Sequence, residues 1–193
     1  MRRLFLVVLL LALAGTTQAI DIKGKWGLGV GTGTFIGSGG EASLIRGKTE
    51  RTAWILDMSI FHQYEEKRID TTLQLDRLQR LADVSFGPRI RRFTRPGAKL
   101  SPYWDVFVHL IGMNYSYSSP GGTDNDYSAG GEAGCAGGVE YFTPWHFTLA
   151  AHTGLFKASA SRLWGYDFRE EYRGWKFNTN LGFSPKLQVR VYF

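Results

Sequence analysis

The chain has 193 residues and a formal net charge of +6 at pH 7, with 24 Gly residues and one Cys. Cys135 therefore excludes an internal disulfide, and with four scattered His residues it makes no spacing typical of a metal site. Removal of Arg2 and Arg3 with the leader described below lowers the charge by two, from +6 to +4, which is too modest to indicate nucleic-acid binding. We expect no metal, no cofactor and no nucleic-acid partner.

The first nineteen residues have the pattern of a secretory signal peptide. Met1-Arg2-Arg3 is followed by an apolar run over 4–13 and then by small residues that end at Ala19. The apolar run is shorter than the roughly 20 residues that a membrane-spanning helix needs. No Cys follows the leader, so a lipid anchor is not expected. The sequence predicts a signal peptide over 1–19 and one domain over 20–193.

In the mature chain, apolar and polar residues alternate with a period of two, which is typical of strands whose two faces meet different surroundings. Eight such stretches are predicted, over 23–35, 41–47, 52–64, 83–93, 103–117, 127–142, 146–159 and 176–193. Most are longer than the usual strand of about 5–6 residues. They suit a tilted strand that crosses a membrane, which needs about 9–11 residues.

The first predicted strand has glycine at every second position, at Gly27, Gly29, Gly31 and Gly33. A strand without side chains on one face suits a crowded, tightly curved barrel wall. The alternative, a dinucleotide-binding loop, requires that the glycines open a helix. No helical pattern follows them, so the barrel wall is the better interpretation.

Eight strands joined in sequence predict an up-and-down barrel, and an even count is the rule for bacterial membrane barrels. Secretion through the leader predicts that both termini lie in the periplasm. The expected periplasmic turns are short and lie at 48–51, 94–102 and 143–145. The expected outer loops lie at 36–40, 65–82, 118–126 and 160–175, and three of them are long.

Tryptophan positions agree with this arrangement. Trp26, Trp54, Trp104 and Trp145 begin the odd-numbered strands, and Trp175 lies at the other end of the barrel, as does Trp164. All are predicted to lie near a membrane–water interface, where an amphipathic ring is most stable.

Three segments resemble the small eight-stranded outer-membrane β-barrel families: S-F-G-P-R-I-R-R-F over 85–93, V-E-Y-F-T-P-W-H-F-T-L over 139–149, and L-Q-V-R-V-Y-F over 187–193. The resemblance covers the mature chain and implies an all-β, antiparallel transmembrane barrel in a Gram-negative-type outer membrane. It also implies that the apolar face of the last strand is an assembly signal for the barrel-insertion machinery. That face comprises Leu187, Val189, Val191 and Phe193.

The same alternation predicts charged side chains inside the barrel. They are Asp57, Arg89, Arg91, Asp105, Glu132, Glu140, Lys186 and Arg190, together with His109 and His152. Buried charges must be paired, and eight strands leave an interior only just wide enough for side chains. We therefore expect a plug of ion pairs; a lumen that conducts water or ions is the alternative.

The resembled families include adhesion and opacity-type proteins, small-solute pores and a few lipid A-modifying enzymes. The lipid-deacylating enzymes have a Ser two residues after a His on a late strand, as part of a Ser–His–acid group. Here Gly154 follows His152 at that spacing, so no catalysis is expected.

The expected role is structural or adhesive, through the loops over 65–82, 118–126 and 160–175. Membrane lipid, the phosphates of lipopolysaccharide and a surface ligand are the expected partners. The alternatives are a lipid A-modifying enzyme, a small-solute pore, and a soluble barrel with apolar side chains pointing inward.

Overall fold

The computed structural model describes residues 21–32, 38–68, 76–119, 122–143, 146–167 and 170–193. Its eight strands are β1 (Trp26–Thr32), β2 (Ser38–Gly47), β3 (Thr52–Arg68), β4 (Asp76–Phe93), β5 (Leu100–Ser119), β6 (Gly122–Phe142), β7 (Phe147–Asp167) and β8 (Glu170–Tyr192). Each strand pairs antiparallel with the next, and β1 pairs with β8, so the sheet closes into a barrel. The predicted all-β fold and its eight-stranded up-and-down order are confirmed. The predicted signal peptide and Gly33 lie outside the described residues.

The two ends of the barrel differ. At one end, the termini end, β1 and β8 meet: the Trp26 amide donates to the Phe193 carbonyl at 3.0 Å, and the Phe193 amide donates to the Trp26 carbonyl at 2.8 Å. The chain connects strands there through residues 48–51, 94–99 and 143–146, close to the predicted short turns. The opposite end is the far end.

The prediction of three long loops at the far end is wrong. Most of the residues in 65–82, 118–126 and 160–175 belong to paired strands, as the partners Glu65 and Gln79, Ser119 and Gly122, and Asp167 and Glu170 show. Backbone ladders need no apolar face, so polar hairpins extend the sheet without leaving an alternating pattern in the sequence. The strands of the barrel wall therefore replace the expected loops.

Strand lengths are uneven around the barrel. β1 has 7 residues and β2 has 10, whereas β5 to β8 have 20 to 23. The ladder between β1 and β8 runs only from Gly27 and Tyr192 to Gly31 and Gln188. Among the described residues, nothing pairs with that edge of β8 before Gln188. Eight strands thus surround the termini end, and the sheet from β3 to β8 continues toward the far end.

The outer face of the barrel is apolar, and the inner face carries the buried charged and polar side chains. Exposed apolar side chains follow the outward positions of every strand and include Leu28, Leu44, Met58, Ile90, Val106, Val139, Leu155 and Val189. This arrangement is the reverse of a water-soluble barrel with an apolar interior and matches a lipid-facing wall around a polar lumen. The alternative of a soluble barrel with an apolar lumen is therefore wrong.

A bulge changes the inward face of β7. The β7–β8 register shifts between Gly154 and Phe156. Before the shift His152 points inward, and after it Lys157 and Ser159 line the lumen, although an unbroken alternation would place them outside. Pro185 pairs with Thr153 at this level and has no amide hydrogen to donate to the ladder, which accounts for the irregularity.

Within the described part of the chain, no helix is long and apolar enough to span a membrane.

Candidate functional site: the charge cluster and the cavity

Apolar side chains fill the barrel at the termini end. They form one buried cluster of Ile22, Ile45, Ala53, Ile55, Phe93, Tyr103, Phe142, Ala150 and Tyr192. The ring of Phe93 packs against those of Tyr103 and Phe142, with centroids 5.9 and 5.8 Å apart. The barrel is therefore closed at this end by a small hydrophobic core.

Above this core lies what we call the charge cluster, which comprises Glu41, Asp57, Asp105, Glu140, Arg89, Arg91, Lys186 and Arg190. Four carboxylates face four cations, so their formal charges sum to zero. Apart from the Lys186 side chain, which is 27% exposed, all these side chains are buried. Complete pairing is the condition under which such burial is tolerated.

Glu140 occupies the centre of one half of the charge cluster. Its Oε2 accepts hydrogen bonds from Arg91 at 2.7 Å and Arg190 at 2.6 Å. Its Oε1 accepts from the Thr148 hydroxyl at 2.6 Å and the Tyr192 hydroxyl at 3.0 Å. Four donors from β4, β7 and β8 thus satisfy one fully buried carboxylate on β6.

Asp105 and Arg89 join the two halves. Arg91 donates to both oxygens of Asp105, at 2.8 and 2.7 Å, in the bidentate geometry that planar guanidinium groups favour. Arg89 lies 3.4 Å from Asp105, 2.6 Å from Asp57 and 3.4 Å from Glu41. The two arginines of β4 therefore bridge carboxylates on β2, β3, β5 and β6.

Glu41 anchors the other half to β8. It accepts from Lys186 at 3.1 Å and from Gln188 at 2.8 Å, and Gln188 in turn accepts a short hydrogen bond from Arg190. Groups from β2 through β8 thus take part in one network.

The glycines of β1 leave room for the side chains of the network on β8. A Cβ atom on Gly31 would lie 2.7 Å from Cγ of Gln188, and one on Gly27 would lie 3.0 Å from the Tyr192 ring. A Cβ on Gly29 would meet Ser43 and the Arg190 side chain. The glycine row of β1 is therefore the inner face against which the long β8 side chains pack, in the crowded wall that we expected.

The structure brings seven of the eight predicted lumen charges into the charge cluster, and Glu132 lies apart from it. Glu132 contacts His109 at 3.3 Å and Lys157 at 3.0 Å, nearer the far end. Sequence reasoning missed Glu41 and the neutral partners Thr148 and Gln188. The outward alternation of Ala42 and Leu44 could have placed Glu41 inside.

A cavity of about 640 Å³ lies on the far side of the charge cluster. Its floor includes Glu41, Asp57, Arg89, His152 and Lys186. The β3 and β5 strands line it with the apolar side chains of Phe61, Phe107, Ile111 and Met113. The β6, β7 and β8 strands line it with the polar side chains of Ser128, Ser159, Ser161, Asn178 and Asn180. Its volume lies within the range of ligand pockets, about 300–1,000 Å³.

The cavity opens toward β8. Asn178, Asn180 and Gly182 are exposed although they line the cavity. The outward side chains of the same strand change as well: Leu187 and Val189 are 49% and 43% exposed, beside β1. Phe177 and Leu181 reach 76% and 83%. We call this exposed stretch of β8, residues 176–182, the notch.

The predicted interface aromatics lie at both ends of the outer surface. Trp26, Trp54 and Trp104 are exposed at the termini end, and Arg46 covers the Trp26 ring at 4.7 Å. Trp175 lies near the beginning of β8, toward the far end, and is stacked on Phe177, and Trp145 lies outside the described residues. Leu187, Val189, Val191 and Phe193 all face outward.

Two chemical possibilities raised by the sequence are a metal site and a Ser–His pair. Among the described residues, no group of three or more His, Cys, Asp or Glu side chains is placed to hold a metal ion. His152 is buried on the cavity floor, and its Nδ1 has no hydrogen-bond partner among the described groups. The residue two positions later, Gly154, supplies no nucleophile.

Two solved structures are similar to this architecture. One is a major outer membrane protein from Thermus thermophilus, with a TM-score of 0.56 and 10% identity over 88% of this chain and 98% of that chain. The chain has the fold of an outer-membrane β-barrel. The other is the N-terminal β-barrel domain of Pseudomonas aeruginosa OprF, with a TM-score of 0.41 and 15% identity over 89% of this chain and 98% of that chain. No protein-family model and no curated protein matches the sequence.

Proposed function

We propose that this protein is a non-conducting outer-membrane barrel whose working surface is the far end. The observation that supports it best is the double closure of the lumen, by the apolar core and by the neutral charge cluster above it, in which each charged group has an ion-pair partner. An ion that crossed this layer would have to break pairs that are already satisfied. The far end, by contrast, has a cavity and extended strands.

The proposed orientation places the termini end in the periplasm. The predicted secretory leader and the outward apolar belt support this location, since a lipid-facing barrel that has passed the inner membrane has the outer membrane as its destination. Protease treatment of whole cells tests the orientation: a tag inserted between Ser119 and Gly122 should be cleaved, and one inserted at 95–98 should be protected. The reverse pattern would place the far end in the periplasm and contradict the proposed orientation.

Conductance tests the closed lumen. The purified protein, added to planar lipid bilayers, should give no current steps. A variant with Glu140→Ala and Arg91→Ala, which removes both members of a central pair, should conduct more readily if the cluster is the barrier. Steady steps from the unaltered protein would favour the small-solute pore instead.

The last strand is proposed to be the surface that the barrel-insertion machinery recognises. Leu187, Val189, Val191 and Phe193 form a continuous outward apolar row that supports this role. Deletion of Phe193 should reduce the amount of protein in the outer membrane, whereas the control Thr179→Ala, also outward on β8, should not. Equal membrane amounts for both variants would contradict the role.

The surface partner is proposed to include lipopolysaccharide. At the far end, Tyr127 stacks on Trp164 and Trp175 stacks on Phe177, with centroids 6.4 Å apart in both pairs. Arg162 is the cross-strand partner of Trp175. Arginine and aromatic side chains together suit phosphorylated sugar head groups. Less lipopolysaccharide should co-purify with Arg162→Ala than with Val108→Ala; equal amounts would argue against contact at this surface.

The alternative of a lipid A-modifying enzyme predicts turnover. Incubation of the purified protein with lipid A should leave the lipid mass unchanged, and a new acyl or deacylated product would replace the present proposal.

A further inference from the structure

We propose that the cavity on the far side of the charge cluster binds a sugar, a molecule with an apolar carbon face and a rim of hydroxyl groups. The inference rests on the proposed closed lumen only in that a closed floor makes the cavity a cup and not a passage. The observations that carry it are the mixed apolar and hydrogen-bonding lining and the exposure of Asn178 and Asn180 on β8.

The lining presents both apolar and hydrogen-bonding side chains, and the two kinds are intermixed around the cavity. Phe61, Ile111 and Met113 present carbon surface from β3 and β5. Ser161 on β7 and Asn178 on β8 present a hydroxyl and an amide. Hydroxyl and amide groups can both donate and accept hydrogen bonds, which matches the mixed donor and acceptor character of sugar hydroxyls. A sugar ring can therefore place its carbon face on the apolar side chains and its hydroxyl groups on the hydrogen-bonding side chains.

Other ligand classes fit this lining less well. An acyl chain would match Phe61 and Met113 but would strip water from Ser161 and Asn178 without replacing their hydrogen bonds, which is costly. A strongly anionic ligand would meet as many carboxylates as cations, because the lining contains Glu41, Asp57, Asp83 and Glu132 beside Arg89, Lys157, Lys176 and Lys186. A neutral polyhydroxylated molecule meets neither obstacle.

The notch provides a path for a sugar that is attached to the membrane surface. Asn178 and Asn180 line the cavity and are also exposed. The stacked Trp175 and Phe177 lie on the outer face of the same segment. The sugar could thus come from soluble saccharides through the far end or from lipopolysaccharide through the notch.

The experiment uses the full chain in an amine-oxide detergent, because sugar-headed detergents would occupy the cavity. Calorimetry and saturation-transfer NMR are run with maltose, lactose, N,N′-diacetylchitobiose, the oligosaccharide released from lipopolysaccharide by mild acid, and intact lipopolysaccharide. The inward double variant Ser161→Leu with Asn178→Leu is compared with the outward control Ala160→Leu with Thr179→Leu, at neighbouring positions of the same two strands.

At least one saccharide should bind the unaltered protein and the outward control, and binding to the inward variant should be weaker by about tenfold or more, the effect of losing one or two hydrogen bonds. Binding of the free disaccharides supports a soluble source. Binding confined to lipopolysaccharide or its released oligosaccharide supports the membrane source.

Two results would overturn the inference: no saccharide binding by protein whose circular dichroism shows an intact barrel, or equal loss in the inward and outward variants. Conductance of the same preparation separates this inference from the proposed function. Current steps together with sugar binding would contradict the closed lumen and support the sugar site. No current steps and no sugar binding would support the closed lumen and contradict the sugar site.

Discussion

The termini-end half and the far-end half of this barrel use the same alternating backbone for opposite purposes. Near the termini, eight strands surround an apolar core and a charge cluster in which Arg91, Asp105 and Glu140 are fully buried. Toward the far end, the described sheet runs from β3 to β8, the cavity is open, and the Lys157 side chain that pairs with Glu132 is 48% exposed. Both halves hold ion pairs, but only the first half contains pairs in which both partners are fully buried, such as Arg91 with Asp105 and with Glu140. The same residue types should therefore have very different energetic weight in the two halves.

The largest difference is expected between Glu140 and Lys157. Glu140→Ala leaves Arg91 and Arg190 buried without their shared partner and should lower the free energy of unfolding by about 3–5 kcal/mol. Lys157→Gln disrupts a solvated pair and should lower it by less than about 1 kcal/mol. Urea unfolding in lipid vesicles, followed by tryptophan fluorescence, measures both. Similar losses would show that burial does not separate the halves.

A smaller difference is expected on the outer surface. Leu187→Arg places a charge on the lipid face beside β1 and should destabilise the folded protein in the bilayer by about 2–4 kcal/mol, as expected near the midplane. Phe177 lies ten residues before Leu187 on β8, toward the far end. Phe177→Arg should therefore cost about 1 kcal/mol or less, as expected at or beyond the interface. Unfolding of the reconstituted variants gives both values. An equal cost would mean that the lipid reaches the notch.

The smallest difference concerns two glycines on neighbouring strands. A Cβ on Gly87 would meet the backbone of β5, with Cα of His109 only 2.7 Å away, whereas a Cβ on Gly112 would meet nothing within 4 Å. Gly87→Ala should therefore destabilise the barrel by about 1–3 kcal/mol, as overpacking does. Gly112→Ala should be neutral or slightly stabilising, by up to about 1 kcal/mol. The temperature at which half of each protein loses the electrophoretic mobility of the folded barrel ranks the two variants. An unchanged temperature for Gly87→Ala would show that the neighbouring β5 backbone moves to accommodate the added methyl group.

The termini-end half could be predicted from the sequence because one of its faces must meet lipid. That constraint produces the alternation in Thr52–Arg68 up to Ile60 and in Glu170–Tyr192 after Leu187, and it fixes which charges point inward. The sequence alone therefore assigns four charged residues to the lumen: Asp57, Arg89, Arg91 and Arg190.

Much of the far-end half could not be predicted in the same way, although the alternation of β8 extends into it. Strand residues such as Ser116 and Asn125, which pair with each other, belong to polar segments without alternation and look like loop residues. The change of inward face after Gly154 also leaves no compositional mark. Partners within the charge cluster depend on strand register, which is why Glu41 with Lys186 could not be paired from spacing.

The charge cluster has a consequence for the order of assembly. Glu140 of β6 needs Arg190 of β8, and Glu41 of β2 needs Lys186 of β8, across separations of 50 and 145 residues. A chain whose last strand has not yet docked would hold both carboxylates short of their partners. The unfinished barrel must therefore keep its interior wet. The final strand would displace that water as it pairs with β1. Closure of the barrel and dehydration of the charge cluster are therefore a single cooperative event.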